Sequence, residues 1–198
     1  LVGSEMCIRD SYYSLYHHRN LELWAEYADG KVTKEELNRQ RYLYPLKAVG
    51  ICDSALAKAY EKDALAAIPT KSKLMPHARE VLENLSSKYN LYILSNGFKE
   101  LQSHKMHSSG IDKYFKKIVL SDDIGVLKPW PEIFYFALSA TQSELKDSLM
   151  IGDSWENDIA GAAGVGMHQV FYNLSGRMDL PFMPTYQISD LKELLDLL

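Results

Sequence analysis

Residues 149–164 read LMIGDSWENDIAGAAG, and this stretch decides the fold. Three apolar residues run into Gly152 and Asp153, and Asp158 follows five positions later among small residues with a helical rhythm. The pattern predicts a buried strand that ends in a turn, with carboxylates at its C-terminal tip and a helix leading away. Because ligands of open α/β sheets bind in the crevice beyond the strand tips, the two acids mark a candidate site.

The two acids also have a purely structural interpretation, in which Asp153 turns the chain and Asp158 caps the helix. At a shared site, two carboxylates repel each other unless a cation or a lysine lies between them. Two further polar segments occur upstream, each just after an apolar run: Ser95-Asn96-Gly97 and Lys128. Their presence favours the functional interpretation.

The composition indicates a folded chain and excludes several classes of partner. Of the 198 residues, 46% are hydrophobic and 24% are charged, and the formal net charge is −4. This balance argues against a nucleic-acid polymer as partner, since a phosphate backbone requires a concentrated basic face. No run approaches the roughly 20 apolar residues that span a membrane. Cys7 and Cys52 are too few for a disulfide framework, so we expect a cytoplasmic protein.

The sequence pattern divides the chain into three parts. Residues 1–11 show no clean periodicity and resemble translated adaptor sequence, so we expect an artefactual segment and assign it no structure. Residues 12–70 predict helices only, with a capping-box pair at Thr33 and Glu36. Residues 71–198 alternate helix and strand, which implies a parallel sheet covered on both faces. The expected architecture is therefore an α/β core preceded by a separate helical unit.

Individual elements follow from apolar runs that are bounded by turn residues. The helix that opens at Thr33 is expected to end towards Tyr44-Pro45. In the α/β part, helices are predicted at residues 78–89 and 101–109, from Pro131, after residue 158 and at the C-terminus. Strands are predicted at residues 91–94, 118–120, 149–151, 169–172 and 186–188.

Three polar segments should meet at one edge of the sheet. A hydroxyl, an amide and backbone N–H groups at Ser95-Asn96-Gly97 can hold a phosphate oxygen, although this tripeptide alone favours an ordinary helix cap. Lys128 lies in an apolar, proline-bounded loop, where it could pair with Asp158 and neutralise a phosphate or a nucleophilic carboxylate. The oxygens of Asp153 and Asp158 are suited to Mg²⁺, which takes few protein carboxylates, several waters and a substrate phosphate.

In order and spacing, these segments resemble motifs two, three and four of the haloacid dehalogenase superfamily. The motifs are Ser95-Asn96-Gly97, then Lys128-Pro129, then Gly152-Asp153-Ser154 with Asp158. The match covers roughly residues 71–175, and the preceding helices resemble the cap of the superfamily's first subgroup. The overall pattern is most similar to the branch of pyrimidine 5′-nucleotidases that act on non-standard nucleotides.

The resemblance implies a Rossmann-like core with a helical cap, and a Mg²⁺-dependent phosphatase that works through a phospho-aspartyl intermediate. Asp153 and Asp158 would form the metal side of the site, with Asp158 orienting a metal-bound water or Lys128. Ser95 and Asn96 would hold the phosphoryl group, and Lys128 would stabilise its charge. The implied substrate is a phosphorylated small molecule, with a pyrimidine nucleoside monophosphate favoured. Oligomeric state is not indicated.

One departure from the family pattern is the absence of its first motif, Asp-x-Asp-x-Thr or -Val, before Tyr12. That motif supplies the nucleophile at the end of the first core strand. We therefore expect a truncated chain that lacks both the nucleophilic Asp and the first core strand. The missing strand belongs between those ending near Leu94 and Ile151, and we expect a gap there. Two alternatives stay open: a metal-free 2-haloacid dehalogenase, disfavoured because the acid pair would be uncompensated, and a non-catalytic fragment.

Overall fold

The computed structural model describes the backbone of residues 2–198 and the side chains from residue 10 onward. The chain divides into two compact units, one that ends at Ile68 and one that spans Pro69–Leu198. Within the described residues, no helix combines the length and the apolar character that crossing a membrane requires.

The first unit is built from helices α1 (Val2–Ala28), α2 (Lys34–Ala48) and α3 (Ser54–Ala67). Residues 2–11, to which the sequence analysis assigns no structure, belong to α1, while residue 1 lies outside the described part. The segment contains no proline and only Gly3 as a weak helix former, so nothing in it stops the helix.

The start of α2 is as predicted, because Thr33 precedes the helix and its Oγ1 accepts a hydrogen bond from the Glu36 N–H group at 3.2 Å. The predicted end near Pro45 is wrong, since α2 continues to Ala48. A proline inside a helix costs about 3 kcal/mol. Leu43 and Leu46 are both buried in a cluster, and burying each contributes about 1.5–3 kcal/mol, which offsets that cost.

The second unit alternates helices and strands, as predicted. Its helices are α4 (Ala78–Lys88), α5 (Lys99–Ser109), α6 (Pro131–Thr141), a π-helical turn (Trp155–Ala160) that leads into α7 (Gly161–Gly164), and α8 (Leu194–Leu197). Its strands are β1 (Leu91–Ser95), β2 (Phe115–Leu120), β3 (Leu149–Gly152), β4 (His168–Tyr172) and β5 (Tyr186–Ile188). All five predicted strands are confirmed.

The strands form two separate parallel sheets, β1-β2 and β3-β4-β5. Within the described residues, no ladder of hydrogen bonds joins β1 to β3. The gap expected between the strands that end near Leu94 and Ile151 is therefore confirmed. An interruption of this kind leaves backbone groups of both facing edges without ladder partners.

Side-chain packing holds the two sheets together where hydrogen bonds do not. Leu91 of β1 and Ile151 of β3 both pack against one buried cluster, formed mainly by α4, β4, β5 and α8. Leu94 of β1 and Met150 of β3 both pack against a second cluster, formed by α6, α7 and the residues that follow α7. Alternate residues of each strand thus face opposite layers, and the carboxyl ends of β1 and β3 lie at the same edge.

Candidate active site

The Asn96 side chain fixes the loop that carries Lys128. Asn96 Nδ2 donates a hydrogen bond to the Lys128 carbonyl at 2.9 Å, and the Lys128 N–H group donates to Asn96 Oδ1 at 2.7 Å. In this reciprocal pair, the amide group of the Asn96 side chain bonds to the Lys128 backbone in the way that a neighbouring β-strand would. It brings two of the predicted site segments, the end of β1 and the loop before α6, into direct contact.

The Lys128 ammonium group joins the two sheets at their carboxyl edge. Its Nζ donates to Asp158 Oδ1 at 2.6 Å and to the Leu94 carbonyl of β1 at 2.8 Å. The Lys128 and Asp158 side chains are only 10% and 7% exposed. Two such buried charges depend on each other, because either one alone would remain uncompensated. The Lys128–Asp158 pair considered from the sequence is therefore present.

Asp158 is held in place by the turn that follows β3. The Ser154 N–H group donates to Asp158 Oδ2 at 3.1 Å, and Ser154 Oγ caps the turn by accepting from the Asn157 N–H group at 3.2 Å. Ser154, rather than Asp158, is thus the capping residue. A Cβ atom on Gly152 would collide with the Asp158 carboxyl group, so the close approach of this side chain to the strand end requires glycine.

Asp153 follows β3 directly, and its side chain is exposed at the tip of the strand. Among the residues that the structure describes, no group of three or more His, Cys, Asp or Glu side chains could hold a metal ion. Mg²⁺ needs only one or two carboxylates when waters and a phosphate complete its shell. The open carboxylate of Asp153 fits such a ligand, whereas both oxygens of Asp158 already accept hydrogen bonds.

Ser95 Oγ accepts two hydrogen bonds at the end of β1. One comes from the Gly97 N–H group at 3.0 Å and the other from Gln102 Nε2 at 3.1 Å. The Gly97 N–H group, which the sequence suggested as a phosphate donor, is thus engaged inside the protein. Sequence reasoning missed Gln102, because nothing in the linear pattern shows that this residue of the following helix reaches Ser95.

A second glycine lets α7 lie against the Lys128 loop. A Cβ atom on Gly161 would come within 2.8 Å of the Phe134 ring and 3.0 Å of Pro129 Cα. The bond between Lys128 and Pro129 is cis. Because Gly161 has no side chain, α7 and the loop that carries Lys128 can pack closely against each other, and this contact helps to fix the position of the loop.

Comparison with known proteins agrees with this geometry. A family model described as haloacid dehalogenase-like hydrolase matches residues 8–166. The putative HAD-hydrolase YfnB of Bacillus subtilis is 31% identical over 186 residues, which cover 92% of this chain and 78% of that protein. The pyrimidine 5′-nucleotidase YjjG of Escherichia coli is 31% identical over 185 residues, which cover 92% of this chain and 80% of that protein.

The fold is also found in a solved relative. The crystal structure of YfnB bound to magnesium has a TM-score of 0.84 and 30% identity, and the match covers 94% of this chain and 81% of that one. The parallel α/β core, its helical unit and the lysine at the strand tips define a hydrolase with a Rossmann-like fold. The chain belongs to the haloacid dehalogenase-like hydrolase family.

Proposed function

We propose that this chain is part of a phosphomonoesterase that hydrolyses pyrimidine nucleoside 5′-monophosphates in the cytoplasm. The observation that carries the proposal is the Lys128 ammonium group, fixed by Asp158 beside the strand that ends in Ser95. A buried cation next to a hydroxyl donor suits a phosphate dianion. The relative YjjG, a pyrimidine 5′-nucleotidase, supports this choice of substrate.

The proposed roles follow from the groups that stay available. The Ser95 hydroxyl donates to a phosphoryl oxygen, since its acceptor side is filled by two N–H donors. Lys128 has three ammonium hydrogens, of which two are used within the protein, and its charge stabilises the phosphoryl group. Asn96 has one Nδ2 hydrogen left for a phosphoryl oxygen, and its other bonds position Lys128.

Mg²⁺ is part of the proposal. Asp153 would hold the ion, with Asp158 nearby in sequence and engaged with Lys128. When bound, Mg²⁺ supplies positive charge that neutralises the phosphate and orients it for displacement. The substrate would be a phosphorylated small molecule rather than a nucleic-acid polymer or a membrane surface.

The proposed nucleophile lies outside these 198 residues, in which no Asp-x-Asp-x-Thr or -Val sequence occurs. We propose that the chain is a piece of a longer protein, whose preceding segment supplies the nucleophilic Asp and the strand between β1 and β3. The interruption of the sheet supports this idea, because it falls between the strands that carry Ser95 and Asp153. The Asp would attack phosphorus as the bond from phosphorus to the nucleoside 5′-oxygen breaks, and the nucleoside would leave with a proton on that oxygen. Water would then hydrolyse the phospho-aspartyl group, which releases inorganic phosphate and restores the Asp carboxylate.

The test is an activity screen of the protein with its preceding coding sequence restored. Deoxyuridine and thymidine monophosphates should be hydrolysed with Mg²⁺ present, and activity should be lost with EDTA and in the variant Lys128→Ala. If other phosphomonoesters are cleaved but no nucleotide is, the nucleotidase assignment is wrong and the phosphatase assignment stands. Metal-independent release of halide from a 2-haloacid would establish the dehalogenase alternative instead.

A further inference from the structure

We infer that Gln102 is a positioning residue, which aims the Ser95 hydroxyl group at the phosphoryl group of the substrate. The inference rests on the proposed function, because it assumes that Ser95 donates to phosphate. It goes further by naming a residue outside the three motifs and by stating what its side chain does.

The hydrogen bonds around Ser95 carry the inference. A serine hydroxyl has two acceptor lone pairs and one hydrogen to donate. The Gly97 N–H group and Gln102 Nε2, at 3.0 and 3.1 Å, occupy the two lone pairs. Both partners are donors here, so neither takes the hydroxyl hydrogen. That hydrogen is therefore left in the remaining tetrahedral direction instead of rotating freely.

The backbone around Gly97 is arranged to let Gln102 reach Ser95. A Cβ atom at Gly97 would overlap the Gln102 side chain, from its Cγ atom to its amide. Glycine at this position thus keeps open the path between the helix and the strand end.

The first turn of α5 fixes the position of Gln102 relative to Ser95. Phe98, which precedes the helix, is only 3% exposed and so anchors its first turn in the protein interior. The Gln102 N–H group donates to the Phe98 carbonyl at 3.0 Å. Gln102 therefore projects from a fixed turn, which is what a residue that orients another side chain requires.

The experiment measures the binding of inorganic phosphate by calorimetry, in the presence of Mg²⁺, to the protein with its preceding coding sequence restored. Four proteins form a cycle: the parent, Ser95→Ala, Gln102→Met and the double variant. Methionine keeps the length of the side chain and removes its donor. We expect Gln102→Met to weaken phosphate binding roughly threefold to tenfold, the effect of one neutral hydrogen bond, when Ser95 is present. In the Ser95→Ala background it should change binding less than about twofold, because there is no hydroxyl to orient.

A second variant tests the direction of the hydrogen bond. Gln102→Glu offers only acceptor oxygens, so the Ser95 hydrogen should turn towards it and phosphate should bind more weakly than to Gln102→Met. Gln187→Glu, an exposed position on β5, adds the same charge and is the control. Melting temperatures of all variants separate lost binding from lost folding.

The outcomes distinguish this inference from the proposed function. If Ser95→Ala weakens binding but Gln102→Met does not, or if Gln102→Met acts equally in both backgrounds, Gln102 has no positioning role and the proposed function stands. If the parent does not bind phosphate, or if Ser95→Ala leaves binding unchanged, the proposed role of Ser95 fails and the inference fails with it.

Discussion

Lys128 Nζ lies 2.6 Å from Asp158 Oδ1, and it also donates to the Leu94 carbonyl at 2.8 Å. One ammonium group thereby connects the end of β1 with the turn after β3, across the interruption between the two sheets. The contact is both structural and electrostatic. It orders the edge of the unit, and it places a positive charge where a phosphate is proposed to bind.

Removing Lys128 should destabilise the protein strongly. Lys128→Met leaves the Asp158 carboxylate buried without its cation, and breaking one side of a buried pair costs about 3–5 kcal/mol. The double variant Lys128→Met/Asp158→Leu should recover part of this loss. Urea unfolding followed by circular dichroism measures the free energies, and Lys192→Met, at an exposed position, is the control. A loss below about 1 kcal/mol would show that the pair is not buried as described.

The stability of the protein should depend on both of the reciprocal hydrogen bonds of Asn96. Asn96→Ala leaves the N–H and carbonyl groups of Lys128 without partners, which we expect to cost about 1–3 kcal/mol. Asn96→Asp keeps the acceptor but sets a carboxylate against the Lys128 carbonyl, so it should not rescue the loss. Thermal unfolding checks both variants against Asn84→Ala on the exposed face of α4. Equal melting temperatures for Asn96→Asp and the parent would contradict the described pairing.

Much of the fold could be predicted from the sequence, because its strands are short apolar runs bounded by turn residues. The placement of Ser95 and Lys128 near one another followed from the rule that parallel strands bring their carboxyl ends to one edge. The gap between β1 and β3 followed from the missing first motif.

The remaining features depend on contacts between residues of different elements, which the linear sequence pattern does not show. Gln102 lies in a helix that looks amphipathic and ordinary, and only its distance to Ser95 gives it a role. Gly161 resembles any small residue of a helix until its contact with Pro129 is known. The course of α2 through Pro45 was missed because burial of the surrounding leucines outweighs a local rule.

The two glycines of α7 should respond in opposite ways to alanine. At Gly161 a methyl group would press on the Phe134 ring and on Pro129, and we expect a loss of about 1–3 kcal/mol from overpacking, with weaker phosphate binding as the Lys128 loop moves. At Gly164 a methyl group meets nothing within 4 Å, so alanine should be neutral or stabilise by about 0.5–1 kcal/mol. Chemical denaturation of both variants checks this. A loss at Gly164 as large as that at Gly161 would contradict the packing described for α7.

The contacts of the Asp123 carboxylate, which connect the end of β2 with Lys99 at the start of α5, should weaken in acid. The Leu120 N–H group, which donates to Asp123 Oδ2 at 3.0 Å, and the Lys99 ammonium group together hold the pKa of Asp123 below its usual value. A carboxyl group whose pKa is lower in the folded state than in the unfolded state stabilises the protein at pH values above its unfolded pKa of about 3.9. This contribution is lost as the pH falls through the folded pKa.

Asp123→Asn should therefore lower the melting temperature at neutral pH by roughly 2–4 °C, the effect of about 1 kcal/mol in a chain of this size. The difference from the parent should shrink as the pH falls below about 4, whereas Asp196→Asn, at an exposed position, should show little difference at any pH. A difference that stays constant down to about pH 2 would mean that the ionised form of Asp123 contributes nothing to these contacts.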